Sequence, residues 1–238
     1  MELFTNCPRC FYFDKRFGVG QPPGYPFTLN SAVDTLLKKE FDIHRAKKTA
    51  HPLMEKYGID AVPLENANLN SWRENFVGVQ YLHEPTNLLI TGAVDDVWVD
   101  KSGKLMVVDY KATSTERATD TTDEKWDSYF RQMEIYQWLL RQNKFKVSDT
   151  GYFVYCNASK DKKAFDGKLE FNVEIVTHKG NSDWVEKTIT DAKKCLMSEK
   201  IPEAADDCDY CKYRKVLEKI EVVADKPKDS KQKQGTLL

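Results

Sequence analysis

The sequence lacks the features of a membrane or secreted protein. It has no apolar run long enough to cross a bilayer, and no hydrophobic signal segment follows Met1. We therefore expect a soluble, cytoplasmic protein. The formal net charge is only −1, so nucleic acid would have to bind a local basic surface and not the overall charge of the chain.

The sequence also contains no internal repeat and no helicase motif. Its 238 residues, 41% hydrophobic and 31% charged, suffice for one good core with at most a small appendage. There are six cysteines. Without a signal peptide they argue against a disulfide framework and favour metal or cluster binding in a reducing compartment.

The predicted elements indicate the α/β class. Helices are predicted from Asn30 onward, over Asp123–Lys144 and Asp183–Lys200, and over a last short segment that opens at Cys208 and Cys211. Strands are predicted over Asn75–Leu82, Asn87–Val99, Leu105–Ala112, Gly151–Asn157 and Leu169–Thr177. This order favours a mixed central β-sheet flanked by helices over a regular βαβ array. We expect one domain over residues 1–221 and a disordered tail over residues 222–238.

A predicted hairpin brings two carboxylates and one amine towards the same place. Asp95 lies in the first strand-like run of the hairpin, just after its Gly-containing part, whereas Asp109 and Lys111 occupy alternate positions of the next strand and share one face. Carboxylate oxygens are ligands of Mg²⁺ or Mn²⁺, and the backbone carbonyl of Tyr110 offers another oxygen. The pattern predicts metal-dependent phosphodiester cleavage in which Lys111 orients or deprotonates the attacking water. Taken alone, the same residues also fit ordinary surface charges.

A family resemblance rests on three motifs in order, Gly92-x-x-Asp95, Asp109-Tyr-Lys111 and Gln132-x-x-x-Tyr136. Together they resemble the PD-(D/E)XK nuclease superfamily, in particular its RecB-like branch of helicase–nuclease subunits and CRISPR-adaptation exonucleases. The resemblance implies a restriction-endonuclease-like core in which Gln132 and Tyr136 share a helix face and complete the active site. It also implies an exonuclease acting on single-stranded or duplex DNA ends. A separate helicase or CRISPR-adaptation proteins are the partners that the resemblance suggests.

One difference from the RecB-like branch concerns a residue that binds the metal. Asp34 stands where the branch usually has a metal-binding His, in the segment Leu29-Asn-Ser-Ala-Val-Asp34. The resemblance makes Asp34 a third candidate ligand beside Asp95 and Asp109, because an Asp also binds hard cations. If Asp34 is only a polar residue on a helix face, a catalytically weak or inactive nucleic-acid-binding module of the same fold is the alternative.

Two Cys-x-x-Cys pairs lie near the two ends of the chain, Cys7 with Cys10 and Cys208 with Cys211. Two such pairs can complete one tetrahedral site, which would join the N- and C-termini. Similar RecB-like nucleases hold a [4Fe–4S] cluster with four cysteines split one plus three, and the resemblance implies such a cluster. The split of two plus two leaves Zn²⁺ open. A structural zinc protein, with Asp95, Asp109 and Lys111 as mere surface charges, is a further alternative.

Basic residues beside the cysteine pairs are candidate nucleic-acid contacts: Arg9, Lys15, Arg16, Lys212 and Arg214. Aromatic residues lie among them and would suit stacking on single-stranded bases: Phe11, Tyr12, Phe13 and Tyr213. Each basic group alone is more often a solvated charge. The prediction therefore depends on whether the fold gathers them.

Overall fold

The computed structural model describes residues 1–24, 28–116 and 119–224. Contacts divide the chain into two compact units: a larger one, Gly24–Thr190, and a smaller one that combines Met1–Pro23 with the residues from Asp191 onward. The prediction of one domain over residues 1–221 stays a prediction. Within the described part of the chain, no helix has both the length and the apolar character needed to cross a bilayer.

The described helices and strands are, in chain order, α1 (Glu2–Asn6), α2 (Pro8–Phe17), α3 (Thr28–Lys47), α4 (Pro52–Lys56), β1 (Ala61–Pro63), α5 (Leu69–Arg73), β2 (Val79–His83), β3 (Leu88–Gly92), β4 (Asp96–Asp100), β5 (Leu105–Thr113), α6 (Lys125–Gln142), β6 (Thr150–Ala158), β7 (Phe171–Lys179), α7 (Asp183–Met197) and α8 (Asp209–Ala224). Five of these strands form a mixed sheet in the order β1-β4-β5-β6-β7. Strands β5 and β6 run parallel and their neighbours antiparallel. The predicted α/β class, a mixed sheet flanked by helices, is confirmed.

Side chains alternate between the two faces of the sheet along each strand, and the central strands carry buried residues on both faces. On β5, Val108 and Tyr110 join a core with Phe41 of α3. On β6, Phe153 packs at the opposite face against Trp126 of α6, with ring centroids 5.4 Å apart. Alternation therefore turns Asp109, between Val108 and Tyr110, towards the α6 side of a central strand.

Two element predictions near the site differ from the structure. The predicted strand Asn87–Val99 is two strands, β3 and β4, because β3 pairs with β2 in a separate sheet while β4 pairs with β5. The chain changes sheets between Gly92 and Asp96, and Asp95 lies in that connection. Helix α3 begins at Thr28, so Asn30 is inside it and donates to the carbonyl of Ala112 at 2.9 Å.

Helix α2 was not predicted, although its boundary signals are present in the sequence. Pro8 occupies its first turn, and Gly18 follows its last residue with φ of 70°. Proline fits there because it lacks the N–H that the first turn leaves unbonded, and glycine readily adopts the left-handed conformation.

The smaller unit holds both ends of the chain together. The hydroxyl group of Tyr12 in α2 donates a hydrogen bond to the backbone carbonyl of Ser198 at 2.9 Å. The guanidinium of Arg214 in α8 lies 5.0 Å from the ring centroid of Phe13. Helix α8 continues to Ala224, three residues into the predicted tail, and residues 225–238 lie outside the described residues.

Candidate active site and cysteine site

A continuous line of polar contacts joins β5 to α6 in the larger unit. Lys111 Nζ lies 2.5 Å from Asp109 Oδ2 and donates to Gln132 Oε1 at 3.0 Å. Gln132 Nε2 donates to the hydroxyl of Tyr136 at 2.7 Å. The ammonium of Lys111 also lies 4.7 Å from the ring centroid of Tyr129, a favourable cation–π position. The structure thus brings together the residues predicted on β5 and α6, and adds Tyr129 one turn before Gln132.

Asp95 approaches Asp109 from the connection between β3 and β4. Its Oδ2 accepts a hydrogen bond from the backbone N–H of Tyr110 at 2.8 Å. Burial and the neighbouring Asp95 together raise the pKa of Asp109 to about 7, against the opposing effect of Lys111. Burial likewise raises the pKa of Asp95. Two neighbouring carboxyl groups that resist ionisation together favour a cation between them.

Asp109 is buried, with 2% of its side chain exposed. The interpretation of this residue as a mere surface charge is therefore wrong. Its Oδ2 makes no hydrogen bond of acceptable geometry. Lys111 Nζ is near enough for an ion pair with this oxygen, but the angles are not those of a hydrogen bond. One buried carboxylate oxygen is thus left with capacity for a further partner.

Asp34 lies near Asp95, but Lys38 stands between them. Lys38 Nζ is 2.8 Å from Asp34 Oδ2 and 3.4 Å from Asp95 Oδ1. Among the described residues, Asp34, Asp95 and Asp109 do not form a group close enough to hold a metal ion, whereas the four cysteines do. The role of Asp34 as a ligand stays a prediction. Lys38 was not predicted in the site, although it follows Asp34 by one helical turn.

One cavity of about 870 Å³ is lined by part of this site, although the buried Asp109 is not among its lining residues. Its polar lining residues include Asp34, Lys38, Asp95, Tyr110 and Lys111. Its apolar and aromatic lining residues include Leu29, Val33, Tyr129, Leu169 and Phe171. A cavity that has both charged and aromatic groups suits a nucleotide, which has a charged phosphate and a flat base.

A buried ion network fixes the backbone of Asp95. Asp96 Oδ1 lies 2.7 Å from Arg45 Nη2 and 3.0 Å from Arg73 Nη2, and its Oδ2 accepts from the hydroxyl of Tyr110 at 2.9 Å. Arg73 Nε donates to the backbone carbonyl of Asp95 at 2.9 Å. Arg73 was missed by sequence reasoning because no spacing rule links α5 to the β3–β4 connection.

Replacing Asp96 by Ala is expected to lower the free energy of unfolding by about 3–5 kcal/mol. Asp96 is fully buried, so its removal leaves Arg45 and Arg73 as buried cations without this anion. Urea denaturation measures the loss. Asp60→Ala is the control, because Asp60 pairs with Lys101 on the surface and its change should stay within about 0.5 kcal/mol. Equal stability of the two variants would refute the role assigned to Asp96.

Gly92, the first residue of the Gly-x-x-Asp motif, is a glycine because Tyr136 packs directly on it. A Cβ at this position would lie 2.7 Å from the Tyr136 ring and 2.9 Å from the Leu139 side chain. These distances are too short for carbon atoms, so a side chain would push α6 away from the end of β3.

Gly92→Ala is therefore expected to destabilise the protein by about 1–3 kcal/mol and to disturb the contact between Tyr136 and Gln132. Chemical denaturation measures the change. Gly24→Ala is the matched control, since a Cβ there meets no atom within 4 Å. Close packing of Tyr136 on Gly92 would be contradicted if Gly92→Ala were as stable as this control.

The four predicted cysteines lie together in the smaller unit. The Sγ–Sγ distances are 3.6 Å for Cys10–Cys208, 3.6 Å for Cys10–Cys211 and 3.9 Å for Cys7–Cys211, and all four sulfurs lie within 4.8 Å of one another. Cys7 directly precedes α2 and Cys208 directly precedes α8. The predicted four-cysteine site that joins the two termini is confirmed as an arrangement compatible with metal binding.

The environment of Cys7 favours its thiolate. Burial raises the pKa of the Cys7 thiol, but hydrogen bonds from the backbone at Ala205 and Cys10 outweigh this and lower the pKa to about 7. A thiol that ionises near neutral pH is a ready metal ligand.

The predicted nucleic-acid contacts all lie in the smaller unit. Four of them have a local partner: Lys15 with Asp14 at 3.0 Å, Arg16 with the carbonyl of Leu196 at 3.0 Å, Lys212 with Asp209 at 3.7 Å and Arg214 with Glu218 at 3.3 Å. Arg9 is half-buried. The interpretation of Phe11 and Tyr12 as stacking groups is wrong, because both are buried, whereas Tyr213 is exposed. Contact with nucleic acid stays a prediction.

Comparison with protein families gives a match over most of the chain. A family model described as the PD-(D/E)XK nuclease superfamily matches residues 27–216. Comparison with curated proteins finds no significant match. Members of the matched superfamily are generally metal-dependent nucleases. The match includes every element of the mixed sheet and the residues around Asp109, and we conclude that this chain belongs to the PD-(D/E)XK nuclease superfamily.

Proposed function

We propose that the protein is a metal-dependent DNA nuclease of the RecB-like type that hydrolyses phosphodiester bonds at DNA ends. One observation carries the proposal. A buried carboxylate oxygen of Asp109 lacks a hydrogen bond and lies beside both Asp95 and the ammonium of Lys111. Lys111 is the ion-pair partner of this oxygen, and a divalent cation would use the remaining capacity of the oxygen to bind a further partner.

The donor set fits Mg²⁺ or Mn²⁺. Asp95 and Asp109 offer hard carboxylate oxygens, and the carbonyl of Tyr110 is a third candidate donor at the same cavity. Asp95 Oδ2 is held by the N–H of Tyr110, and Oδ1, which lies 3.4 Å from the Lys38 ammonium, is the oxygen that a metal ion would bind. When bound, the metal ion would polarise the phosphate and lower the pKa of a water molecule.

Lys111 is placed to act on the water and the phosphate. Its contacts with Gln132 and with the ring of Tyr129 hold the ammonium at the cavity wall. An ammonium fixed there can orient the attacking water and offset negative charge on the phosphate. Gln132 and Tyr136 act as positioning residues, because they reach the reaction centre through Lys111.

The cavity supports a DNA end as the substrate. The charged groups would bind the scissile phosphate, while Tyr129 and Phe171 would contact the terminal bases. A separate helicase or CRISPR-adaptation protein that supplies such ends belongs to this proposal, as do further contacts by Arg9, Lys15, Arg16, Lys212 and Arg214.

A cleavage assay tests the proposal. End-labelled single-stranded and duplex DNA are incubated with the protein in Mg²⁺ or Mn²⁺, and in EDTA. We expect cleavage only with the metal, and successive shortening from one end. Metal-dependent cuts inside a circular substrate would contradict the proposal that the protein acts at DNA ends. Absence of cleavage on all substrates would contradict the proposal that it is a nuclease.

A catalytically silent DNA-binding module is the second candidate. It is favoured by the position of Lys38, whose ammonium lies between Asp34 and Asp95 where a cation would otherwise bind. The same assay distinguishes it, because a silent module would retard labelled DNA on a gel and leave it uncut.

For the cysteine site we propose a single tetrahedral Zn²⁺ ion. Zn–S bonds of about 2.3 Å in a tetrahedron place sulfurs about 3.8 Å apart. Three of the six Sγ–Sγ separations, 3.6–3.9 Å, fit that spacing, and all six lie within 4.8 Å. In a [4Fe–4S] cluster each thiolate binds a different iron atom, so the sulfurs must spread farther apart. Metal analysis of anaerobically purified protein tests this, and brown protein with iron and sulfide would favour the cluster instead.

A further inference from the structure

Lys38 is the least expected group in the candidate active site. Its ammonium contacts Asp34 at 2.8 Å and Asp95 at 3.4 Å, so one cation joins the two carboxylates. Its side chain is 22% exposed and lines the 870 Å³ cavity together with both partners. The contact is therefore partly shielded from solvent, where an ion pair is stronger than on the surface.

The arrangement of charges makes this contact more than an ordinary helix pair. An i, i+4 pair on α3 would need only Asp34, whereas Lys38 also reaches Asp95 on a different element. Asp95 is the carboxylate that the proposed metal shares with Asp109. Of the charged groups that act on Asp95, Lys38 has the strongest influence. A divalent cation at Asp95 would thus meet a positive charge already in place.

We propose that Lys38 is a built-in counterion that holds Asp34 and Asp95 in the metal-free protein and gives way when a divalent cation binds. This inference rests on the proposed function, since it concerns the same site. Lys38 therefore lowers the affinity for the metal. Its ammonium occupies the space between Asp34 and Asp95 that a divalent cation would otherwise take.

The side chain can leave without disturbing the fold. A lysine has a flexible four-carbon stem, and the cavity beside it has room for another position of the ammonium. Once displaced, the ammonium stays at the wall of the cavity that would bind the DNA phosphate. Lys38 thus exchanges a carboxylate partner for a phosphate partner as metal and DNA bind.

Metal titration without DNA tests the inference. Mn²⁺ binding to the full chain is measured by calorimetry and by electron paramagnetic resonance for the wild type and for Lys38→Gln. We expect Lys38→Gln to bind Mn²⁺ about tenfold more tightly, because a competing positive charge is removed. Lys39→Gln is the matched control, since it removes the same charge from the next, exposed position of α3. Its affinity should equal that of the wild type.

Lys38→Arg gives a second, opposite readout in case Lys38→Gln folds poorly. A guanidinium binds carboxylates through two parallel hydrogen bonds, so this variant should bind Mn²⁺ more weakly than the wild type. At saturating Mn²⁺, Lys38→Gln should cleave DNA more slowly, so affinity and rate change in opposite directions. A generally damaged site would instead lose both.

Mn²⁺ affinity in Lys38→Gln that equals or falls below that of the wild type would overturn the inference and leave the proposed nuclease intact. If Lys39→Gln increased the Mn²⁺ affinity as much as Lys38→Gln, the inference would also be overturned, since the loss of one positive charge anywhere on this helix would then be the cause. If neither the wild type nor any variant bound Mn²⁺, the proposed function itself would fail.

Discussion

Replacing Lys111 by Ala is expected to reduce metal-dependent DNA cleavage by about 10²- to 10⁴-fold, the range for losing a positioned proton-transfer group. The ammonium lies 2.5 Å from Asp109 and is held by Gln132, so its loss removes the group that orients the water at the metal. Single-turnover cleavage of end-labelled DNA at saturating Mn²⁺ measures the rate.

The control is Lys101→Ala, which removes an exposed lysine from the hairpin before β5 and should leave the rate unchanged. Both variants should have the same circular dichroism spectrum and the same metal content at the cysteine site as the wild type. Lys111→Ala protein that cleaves DNA at the full rate would contradict the role of Lys111.

Cys208→Ser is expected to remove the bound metal and to destabilise the smaller unit by several kcal/mol. Structural zinc binding contributes about 10–16 kcal/mol in small zinc domains, and one lost thiolate breaks the tetrahedral set. The zinc content measured by elemental analysis should fall from about one zinc per chain to a small fraction of that. Hydrogen exchange should accelerate in α2 and α8, which begin at the two cysteine pairs.

Cys195→Ser is the matched control, because Cys195 belongs to the smaller unit but not to the four-cysteine group. Its metal content and hydrogen exchange should equal those of the wild type. A Cys208→Ser protein with full metal content would show that these cysteines do not bind the metal together.

The parts of the site that the sequence could predict are those set by local periodicity. Asp109 and Lys111 share a strand face because side chains alternate, and Gln132 and Tyr136 share a helix face because they are one turn apart. The grouping of the two cysteine pairs was predictable from their spacing. The separation of the sulfurs was not, and our proposal of a zinc ion depends on that separation.

The remaining features arise from tertiary packing. Arg73 reaches Asp95 from α5, and Lys38 reaches it from α3, although neither is near Asp95 in the sequence. The break between β3 and β4 was missed because strand-forming residues continue on both sides of it. Only the change of partner strand, from β2 to β5, ends β3 at Gly92 and frees Asp95 from the sheet.

The most direct test compares cleavage by the wild type and by Asp109→Asn across a range of Mn²⁺ concentrations. The change keeps the size of the side chain but removes the charge that would hold the metal. We expect the wild-type rate to rise and saturate with Mn²⁺, while Asp109→Asn stays at the level of the EDTA blank at every concentration. Equal cleavage by both proteins would contradict the assignment of Asp109 to a metal-dependent nuclease centre.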